Sequence, residues 1–537
     1  MVKGEQLELS IPEQLNLGAY FLDVNLEAGR GNKTALYYEG RAYSFFDLWR
    51  VTNKVGNVLK ELGVDPEDRV LLILEDSPEW VAAWLATMKV GGVGTHAYTY
   101  LTATDYAYLL KLVRPKVVVV DETTLERVRE AAATCNFSNR FLVAGESVGL
   151  HRGEFGLRAM MEVAEECLEA EATHRDDIAY WSFSGGSTGK PKGVPHMHRD
   201  AVINYESFNS IFHYTPDDIV LGVPKLFFHY SRDNGLLYAL RSGAGVVLFR
   251  GRATAGLIFE LIRKYRPTVL LTVPTMMRAM LQTPQQERSD LGCLHYSISS
   301  GEVLSAQLYA EWVNAFGGEV ANRVGSAEAG GYLTNRPGAV KPGSSGTVAP
   351  LAEVKLVDDQ GTEVPKGEPG VLLARSDGAG QYYVREHEKS KKTFLGDEWV
   401  NTGDIFVQDN DDYFWYIGRA DDMVKVSGVW VAPLEVERTL QECPSVKECA
   451  VLGIPDQDGL TKLSAFVVLH DGRQPSAETR DELRRFLREA LASYKVPRAI
   501  EFVDELPKTG QGKIDRRQLR EVAASKLRDE GSPPCRN

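Results

Sequence analysis

Short apolar runs alternate with helical segments along most of the chain, and this alternation restricts the possible folds more than any other feature of the sequence. RVLLILE precedes the helix-like SPEWVAAWLATMKV, PKVVVV precedes TTLERVREAAA, and PTVLLTV precedes PTMMRAMLQ. Repeated strand–helix units of this kind predict parallel-rich sheets flanked by helices. In such folds ligands bind at the loops that leave the carboxyl ends of strands. We therefore predict an α/β fold for the larger part of the chain.

The pattern changes after about residue 419. KECAVLGIPD and KLSAFVVLHDG are typical of two strands, a helix with apolar residues at helical spacing follows, and AIEFVDELP supplies a last strand. A capping box at Thr479–Glu482 is predicted to begin that helix. We predict a large N-terminal domain at residues 1–419 and a small α+β C-terminal domain at residues 420–537.

Composition disfavours several classes of protein. The chain has 537 residues, too many for one hydrophobic core, and its formal net charge of −13 disfavours nucleic acid and anionic membranes as partners. No apolar run approaches the roughly 20 residues that span a bilayer, and the N-terminus lacks the apolar core of a secretion signal. The six cysteines are scattered without a CxxC pair, which favours reduced thiols. A cytoplasmic enzyme is the prediction.

The segment SFSGGSTGKPKG, residues 182–193, indicates a phosphate-binding loop. Its glycines expose backbone N–H groups to an anion, and its lysines add positive charge. The Walker pattern does not fit, because Ser184 replaces a required glycine and Pro191 follows Lys190 where Ser or Thr is needed. Pro191 also predicts that the loop does not lead straight into a helix. A mobile Gly/Ser linker is the alternative, but the patterned segments on both sides argue against it.

Five motifs occur in a fixed order along the chain. They are SFSGGSTGKPKG, RVGSAEAG (323–330), WVNTGD (399–404), YIGRADDMVKVSGVWVAPLEVE (416–437) and PKTGQGKIDRR (507–517). Together they resemble the acyl-adenylate-forming superfamily, which includes acyl- and aryl-CoA ligases, carrier-protein adenylation domains and beetle luciferases. Each motif alone is weak, but the ordered set is specific and covers nearly the whole chain. It implies two half-reactions: a carboxylate displaces pyrophosphate from ATP, giving acyl-AMP, and a thiol then takes the acyl group.

The resemblance implies roles for individual residues in the first half-reaction. The loop would hold the β- and γ-phosphates of ATP, and Glu328 would hold Mg²⁺ against them, because a hard cation prefers oxygen ligands. Lys513 would reach between the substrate carboxylate and the α-phosphate, so Lys513 and Glu328 are the predicted catalytic residues. The residues predicted to bind the nucleotide or CoA are Ser187, Thr188, Gly189, Lys192, Gly325, Ser326, Asp404, Arg419 and Gly428.

Four of the matched positions lie near the predicted domain boundary. Asp404 would accept hydrogen bonds from both ribose hydroxyls, which a carboxylate can do and an amide cannot. Arg419 would contact the ribose and phosphate edge. Asp421 matches the hinge that lets the small, mobile domain alternate between adenylating and thioester-forming poses. Gly428 would line the pantetheine tunnel. Without the resemblance, this stretch is typical of a polar linker.

Three positions depart from the superfamily pattern. Gly185 replaces a more usual serine, and Val324 replaces an aromatic residue that stacks on adenine in many relatives. Ala327 replaces a threonine whose hydroxyl contacts the α-phosphate, so water takes over that contact or adenylation is slower.

Further segments resemble benzoate-type aryl-CoA ligases. They are TYLTATDYAYLL (99–110), PKLFFHYSRDNG (224–235), SSGEVL (299–304) and GSAEAGGYLTNRPG (325–338). The acyl pocket implied by this resemblance consists of His229, Tyr230, Ser300, Gly325, Gly331 and Tyr332. Glycine walls and aromatic faces suit an aryl ring, and Tyr332 is expected to close the tunnel that a long-chain fatty acid needs.

His229 and Ser300 stand where plain benzoate ligases tend to carry small apolar residues. A buried polar group without a partner costs roughly 1–3 kcal/mol, so the substrate or water is expected to satisfy both. This favours a hydroxybenzoate or an aminobenzoate such as anthranilate. The alternative is that His229 bonds a protein neighbour and never meets the ring.

The acceptor thiol remains open between two candidates. Free CoA is favoured, since no carrier domain is fused and benzoate-type relatives use CoA, and a carrier-protein phosphopantetheine is the alternative. A luciferase-like monooxygenase has little support, and an inactive adenylate-binding sensor or scaffold is disfavoured because Lys513, Glu328, Asp404 and Arg419 are present together. The predicted small-molecule partners are ATP, Mg²⁺, CoA and an aryl carboxylic acid.

Overall fold

The chain forms two compact units in this computed structural model, which describes residues 1–138, 140–145, 149–185, 190–426, 429–455, 461–470, 472–508 and 514–522. The larger unit comprises residues 1–355, 373–402 and 408–415, and the smaller comprises residues 356–372, 403–407 and 416–537. The predicted fold class, a large α/β region and a smaller α+β region, is confirmed. The domain boundary at residue 419 stays a prediction.

The larger unit contains a seven-stranded sheet with a parallel centre. The register places Val70 beside Gly94 on one side and beside Val117 on the other. The central strands are almost entirely buried and aliphatic, as is typical of parallel sheets covered on both faces. In spatial order the strands are Pro191–Met197, Ile178–Gly185, Val93–His96, Arg69–Ile73, Val117–Asp121, Arg140–Ala144 and Glu154–Gly156.

A nine-stranded sheet also lies largely in this unit. Six neighbouring strands, from Val320–Ser326 to Thr34–Tyr38, are parallel, and antiparallel pairs complete both edges. The full spatial order is Thr347–Val348, Gly330–Thr334, Val320–Ser326, Tyr296–Ser299, Val269–Thr272, Ile219–Gly222, Gly245–Leu248, Thr34–Tyr38 and Arg41–Ser44. A five-stranded sheet contains Val2–Lys3, Glu353–Val357, Pro369–Arg375, Val400–Gln408 and Phe414–Arg419.

The three helices predicted in the larger unit form at Pro78–Lys89, Leu125–Cys135 and Pro274–Gln282, and several helices have side-chain caps. Ser77 accepts a hydrogen bond from the Trp80 N–H ahead of Pro78, which suits the first turn of a helix. No described helix is both long enough and apolar enough to span a bilayer. The principal α-helices of this unit are Phe45–Glu61, Pro78–Lys89, Ala103–Val113, Leu125–Cys135, Leu157–Val163, His198–Phe212, Ala255–Tyr265, Pro274–Gln282, Ala306–Phe316 and His387–Thr393.

The smaller unit has a three-stranded sheet packed against two helices. Its strands are Val446–Pro455, Thr461–Leu469 and Ala499–Phe502, and its helices are Pro433–Gln441 and Ala477–Ala490. Two further strands, Val424–Val426 and Val429–Val431, pair antiparallel. The buried Glu437 side chain accepts hydrogen bonds from Arg516 at 2.7 Å and from the Val451 N–H at 2.6 Å. These bonds connect the first helix to the sheet and to the C-terminal segment.

The predicted capping box at Thr479–Glu482 is wrong. Ser476 is the N-cap, and its hydroxyl oxygen accepts from the Thr479 N–H at 3.1 Å. The Glu482 carboxylate instead accepts from the Ser445 hydroxyl at 3.0 Å. The helix therefore begins at Ala477, because Ser476 has the extended backbone that a cap requires.

His198 is expected to make the stability of the larger unit depend on pH. The side chain is 1% exposed, and its Nδ1 accepts a hydrogen bond from the Leu17 N–H at 3.1 Å, which requires an unprotonated nitrogen. Burial lowers the pKa of His198 from 6.5 to about 4, although Asp177 opposes the shift. Between these pH values the unfolded chain binds a proton that the folded chain does not, so stability is lost as the pH falls. The full loss is about 3 kcal/mol, at 1.36 kcal/mol per pKa unit.

We expect the wild-type chain to lose more stability than a His198→Gln variant between pH 6.5 and pH 4. The glutamine amide oxygen can still accept from Leu17, so the variant should fold at neutral pH. Urea unfolding followed across this range measures the difference. Identical pH dependence in the two proteins would contradict the assignment.

Candidate active site

A small cavity in the larger unit brings together most of the predicted acyl-pocket residues. Its volume is about 50 Å³, below the roughly 300–1,000 Å³ of typical ligand pockets, so it has no room for a long acyl chain. His229, Tyr230, Ser300, Gly325, Ser326 and Gly331 all line it. Tyr332 is buried at 1% exposure but is not among the lining residues, so the expectation that it closes the pocket stays a prediction.

His229 and Ser300 present polar groups to this cavity. Burial lowers the pKa of His229 to about 4; the Asp233 carboxylate opposes this shift and Arg232 adds to it. The ring is therefore neutral near pH 7. Within the part of the chain that the structure describes, neither the His229 ring nor the Ser300 hydroxyl has a hydrogen-bond partner. Tyr230 differs, because its hydroxyl donates to the Ile298 carbonyl at 2.8 Å and only its ring faces a ligand.

The cavity-lining Asp233 forms an ion pair with Arg232. Arg232 is fully buried, and its Nε and Nη2 donate to the two Asp233 carboxylate oxygens at 2.7 and 3.0 Å. The guanidinium also lies 4.8 Å from the Trp84 ring centroid and 4.7 Å from that of Tyr180. The two opposite charges compensate each other, and Asp233 lines the cavity.

Glu328 is held as a carboxylate in the turn after Val320–Ser326. The Ser326 hydroxyl oxygen accepts from the backbone N–H groups of Glu328 and Ala329 at 3.3 and 3.1 Å, which shapes the turn. The Tyr383 hydroxyl donates to Glu328 Oε1 at 2.7 Å. Burial alone would raise the pKa of Glu328, but the bond from Tyr383 and the nearby Lys192 ammonium hold it below its ordinary value.

The phosphate-loop segment begins at the carboxyl end of the strand Ile178–Gly185. This strand runs parallel to Val93–His96 and pairs antiparallel with Pro191–Met197, so a strand and not a helix follows the loop, as Pro191 predicts. The Lys192 ammonium lies 3.9 Å from the Tyr383 ring centroid. Other predicted contacts, namely Ser187, Thr188 and Gly189 in this loop together with Gly428 and Lys513, lie outside the described residues.

Asp404 and Arg419 meet within the smaller unit. Arg419 Nη1 donates to Asp404 Oδ1 at 3.0 Å. Gly403 has a φ of +68°, and a Cβ on it would lie 3.0 Å from Arg419 Nη2, so glycine is needed next to the carboxylate. Asp421, the predicted hinge residue, is exposed in the short turn Ala420–Asp422.

Comparison with known proteins identifies the family. Residues 24–384 match the AMP-binding enzyme family, and residues 435–513 match the AMP-binding enzyme C-terminal domain. The chain belongs to the AMP-binding enzyme family. The resemblance to acyl-adenylate-forming enzymes and the predicted class, an AMP-forming acid–thiol ligase, are thereby confirmed.

Several relatives of this AMP-binding enzyme match it over nearly full length. A 4-hydroxybenzoate–CoA/benzoate–CoA ligase of Rhodopseudomonas palustris is 36% identical, covering 97% of this chain and 96% of the relative. Among solved structures, the anthranilate CoA ligase AuaEII in complex with anthranoyl-AMP is 37% identical with a TM-score of 0.89, covering 96% and 99% of the two chains. A benzoate CoA ligase from Burkholderia xenovorans is 34% identical with a TM-score of 0.85, covering 94% and 99%.

Some cavity residues of this AMP-binding enzyme were not predicted from its sequence. Asp233, Asn234, Tyr238 and Arg323 line the cavity alongside the expected residues. Three of these four stand inside quoted motifs, FFHYSRDNG and RVGSAEAG, so the motifs located them without indicating which side chains face a ligand. The direction in which each side chain points depends on helix and strand geometry, which the amino-acid sequence alone does not give.

Proposed function

We propose that this chain is an AMP-forming aryl-CoA ligase. It activates a benzoate-type acid, either a hydroxybenzoate or an aminobenzoate such as anthranilate, as aryl-AMP and transfers the acyl group to CoA. The observation that carries the proposal is the compact cavity in which Tyr230 and glycines form flat walls while His229 and Ser300 offer polar groups. The names of the relatives, a 4-hydroxybenzoate/benzoate ligase and an anthranilate ligase holding anthranoyl-AMP, support it.

The polar groups of the pocket fit a substituted ring better than plain benzoate. A neutral imidazole offers one donor and one acceptor, and a hydroxyl offers both, so either group can bond a ring hydroxyl or amine. Leaving them unmet would cost roughly 1–3 kcal/mol each. A hydroxyl or amine on the ring would supply the hydrogen-bond partner that no described residue gives to His229 and Ser300, and would thereby stabilise the bound acid.

Glu328 fits the proposed magnesium site. Its carboxylate is ionised, is fixed by Tyr383, and belongs to the ligand class that Mg²⁺ prefers. When bound there, the metal would neutralise charge on the ATP phosphates during displacement of pyrophosphate. Among the described residues, no group of three or more His, Cys, Asp or Glu is arranged around one metal position.

In the first half-reaction, an oxygen of the acid forms a bond to the α-phosphorus of ATP while the bond to pyrophosphate breaks. Lys192 and the loop hold the departing phosphates, and Lys513 stabilises the charge between the carboxylate and the α-phosphate. Asp404 orients the ribose, and its ion pair with Arg419 holds that carboxylate in place.

In the second half-reaction, the CoA thiolate forms a thioester bond to the acyl carbon and AMP leaves. Rotation of the C-terminal domain at Asp421 would replace Lys513 with the segment around Gly428.

The test is pyrophosphate release with Mg·ATP for benzoate, hydroxybenzoates, aminobenzoates and hexanoate, each with and without CoA. CoA-stimulated release that is strongest with a hydroxy- or aminobenzoate, together with an aryl-CoA product, is the expected result. Aryl-dependent release without thioester would point to a carrier-protein acceptor. Release with hexanoate but with no aryl acid would overturn the proposal.

A further inference from the structure

Arg323 is a buried cation in the cavity wall, and no carboxylate among the described residues pairs with it. Its side chain lines the cavity, the residue is only 5% exposed, and its Nη1 is buried with no hydrogen-bond partner. In the described part of the chain, no Asp or Glu forms an ion pair with it. Arg232, the partner of the cavity-lining Asp233, is a direct contrast, because both oxygens of Asp233 compensate its charge.

Gly331 makes room for the Arg323 guanidinium. A Cβ on Gly331 would lie 2.2 Å from Arg323 Nη2 and 2.6 Å from Cζ, far inside contact distance. Gly331 also lines the cavity. Its backbone does not have the positive φ that favours glycine, so the guanidinium is what excludes a side chain here. The charged group therefore reaches the glycine wall that was predicted to face the acid.

The surroundings of Arg323 compensate its charge only in part. The guanidinium lies 5.3 Å from the Phe208 ring centroid, and the neighbouring groups that stabilise its charged form are the hydroxyls of Tyr238, Tyr230 and Tyr214. Burial lowers the pKa of Arg323, but an arginine remains protonated at neutral pH. Aromatic rings offset only part of the desolvation free energy that a buried charge costs. A paired anion or a set of hydrogen-bond acceptors is needed to offset the rest.

We propose that Arg323 determines specificity by binding an acceptor oxygen on the ring of the substrate, either a phenolic oxygen or a second carboxylate. This inference rests on the proposed function and narrows its substrate class. A guanidinium has five donors and no acceptor, so it pairs with an oxygen. An aromatic amine presents N–H donors and a nitrogen lone pair delocalised into the ring, so an aminobenzoate leaves Arg323 unpaired. The favoured acid is a hydroxybenzoate or a benzenedicarboxylate.

The experiment compares wild type with Arg323→Met, which keeps a long side chain and removes the charge. The readout is kcat/KM for pyrophosphate release with benzoate and with each isomer of hydroxybenzoate, aminobenzoate and benzenedicarboxylate. We expect one oxygen-substituted acid to exceed both benzoate and the matching aminobenzoate by about 100-fold or more in wild type. Arg323→Met should lose most of that preference, measured as the ratio of kcat/KM for the oxygen-substituted acid to kcat/KM for benzoate. Hydroxybenzoates and benzenedicarboxylates are measured separately, which shows whether Arg323 prefers a phenolic oxygen or a second carboxylate.

Arg288→Met is the matched control. Arg288 does not line the cavity, and its guanidinium donates to the Thr283 carbonyl oxygen at a distance of 2.7 Å. This variant should therefore leave the order of substrates unchanged. Thermal melting of each variant reports whether it is folded. If Arg323→Met does not fold, the order of substrates in wild type still tests the preference for an oxygen-substituted acid. Arg323→Lys, which keeps the charge but not the planar guanidinium, then replaces it as the variant.

The outcomes separate this inference from the proposed function. Release that is strongest with benzoate or an aminobenzoate would overturn the inference and leave the aryl-CoA ligase intact. An equal loss on all acids in Arg323→Met would also overturn it, since Arg323 would then bind the carboxylate that every substrate shares. No release with any aryl acid would overturn the proposed function and this inference with it.

Discussion

Replacing Lys513 with alanine is expected to lower the rate of aryl-AMP formation about 100- to 1,000-fold, the range typical of removing one preorganised donor from a transition state. Lys513 is the motif residue assigned to the carboxylate and the α-phosphate, where negative charge accumulates as the two anions meet. A methyl group cannot replace an ammonium in that position. Pyrophosphate release with saturating ATP and the preferred acid measures the effect.

Lys508→Ala is a control in the same motif. Lys508 is half exposed and forms an ion pair with Glu448 at 3.0 Å, so its loss should change adenylation less than about twofold. Thioester formation from supplied aryl-AMP and CoA should persist in Lys513→Ala, because the lysine acts in the first half-reaction only. Full adenylation in Lys513→Ala would contradict the assignment and revive an inactive, adenylate-binding role.

The second large effect is expected at the buried Arg232–Asp233 pair. Asp233→Asn keeps the shape of the side chain but leaves the fully buried Arg232 guanidinium without its anion. Removing one partner of a buried ion pair typically costs about 3–5 kcal/mol, because the remaining charge is neither solvated nor paired. Urea unfolding at pH 7, followed by tryptophan fluorescence, measures the loss.

Two further variants show whether the unpaired charge is the cause. Glu388→Gln makes the same carboxylate-to-amide change in an exposed pair with Lys391 at 3.9 Å, and should cost less than about 1 kcal/mol. The double variant Arg232→Met, Asp233→Asn removes both charges and should recover part of the stability lost in Asp233→Asn. If the Asp233→Asn variant lost no more unfolding free energy than the Glu388→Gln variant, the stabilising role of the Arg232–Asp233 pair would be contradicted.

Local patterns of residues account for much of the fold. The apolar runs at residues 69–75 and 117–121 form parallel strands, and the segments after them form helices, because burial on both faces selects continuous aliphatic sequence. Pro191 correctly indicated that no helix follows the phosphate loop, since proline removes a backbone donor and biases the preceding residue to extended geometry.

Short-range signals failed where two residues compete for one role. Thr479 and Glu482 have the spacing of a capping box, yet Ser476 caps the helix. Both Thr479 and Ser476 can accept from the first turn, and the choice depends on where the chain leaves its extended backbone. The backbone leaves its extended conformation at Ser476, and the helix then packs Leu483 and Leu487 into the core of the smaller unit.

The sequence by itself determined the family, the order of its motifs and six of the sixteen residues that line the cavity. These follow from local chemistry: glycines in a phosphate loop, a carboxylate in a turn, polar residues next to strand ends. Only the tertiary structure decided which buried charged side chains have their charge compensated by an opposite charge. Asp233 follows Arg232 directly in the sequence and neutralises it, while Arg323 extends over Gly331 with no described carboxylate. The sequence does not show that Arg232 is fully buried, or that no described carboxylate from elsewhere in the chain reaches Arg323, because both depend on distances that exist only after folding.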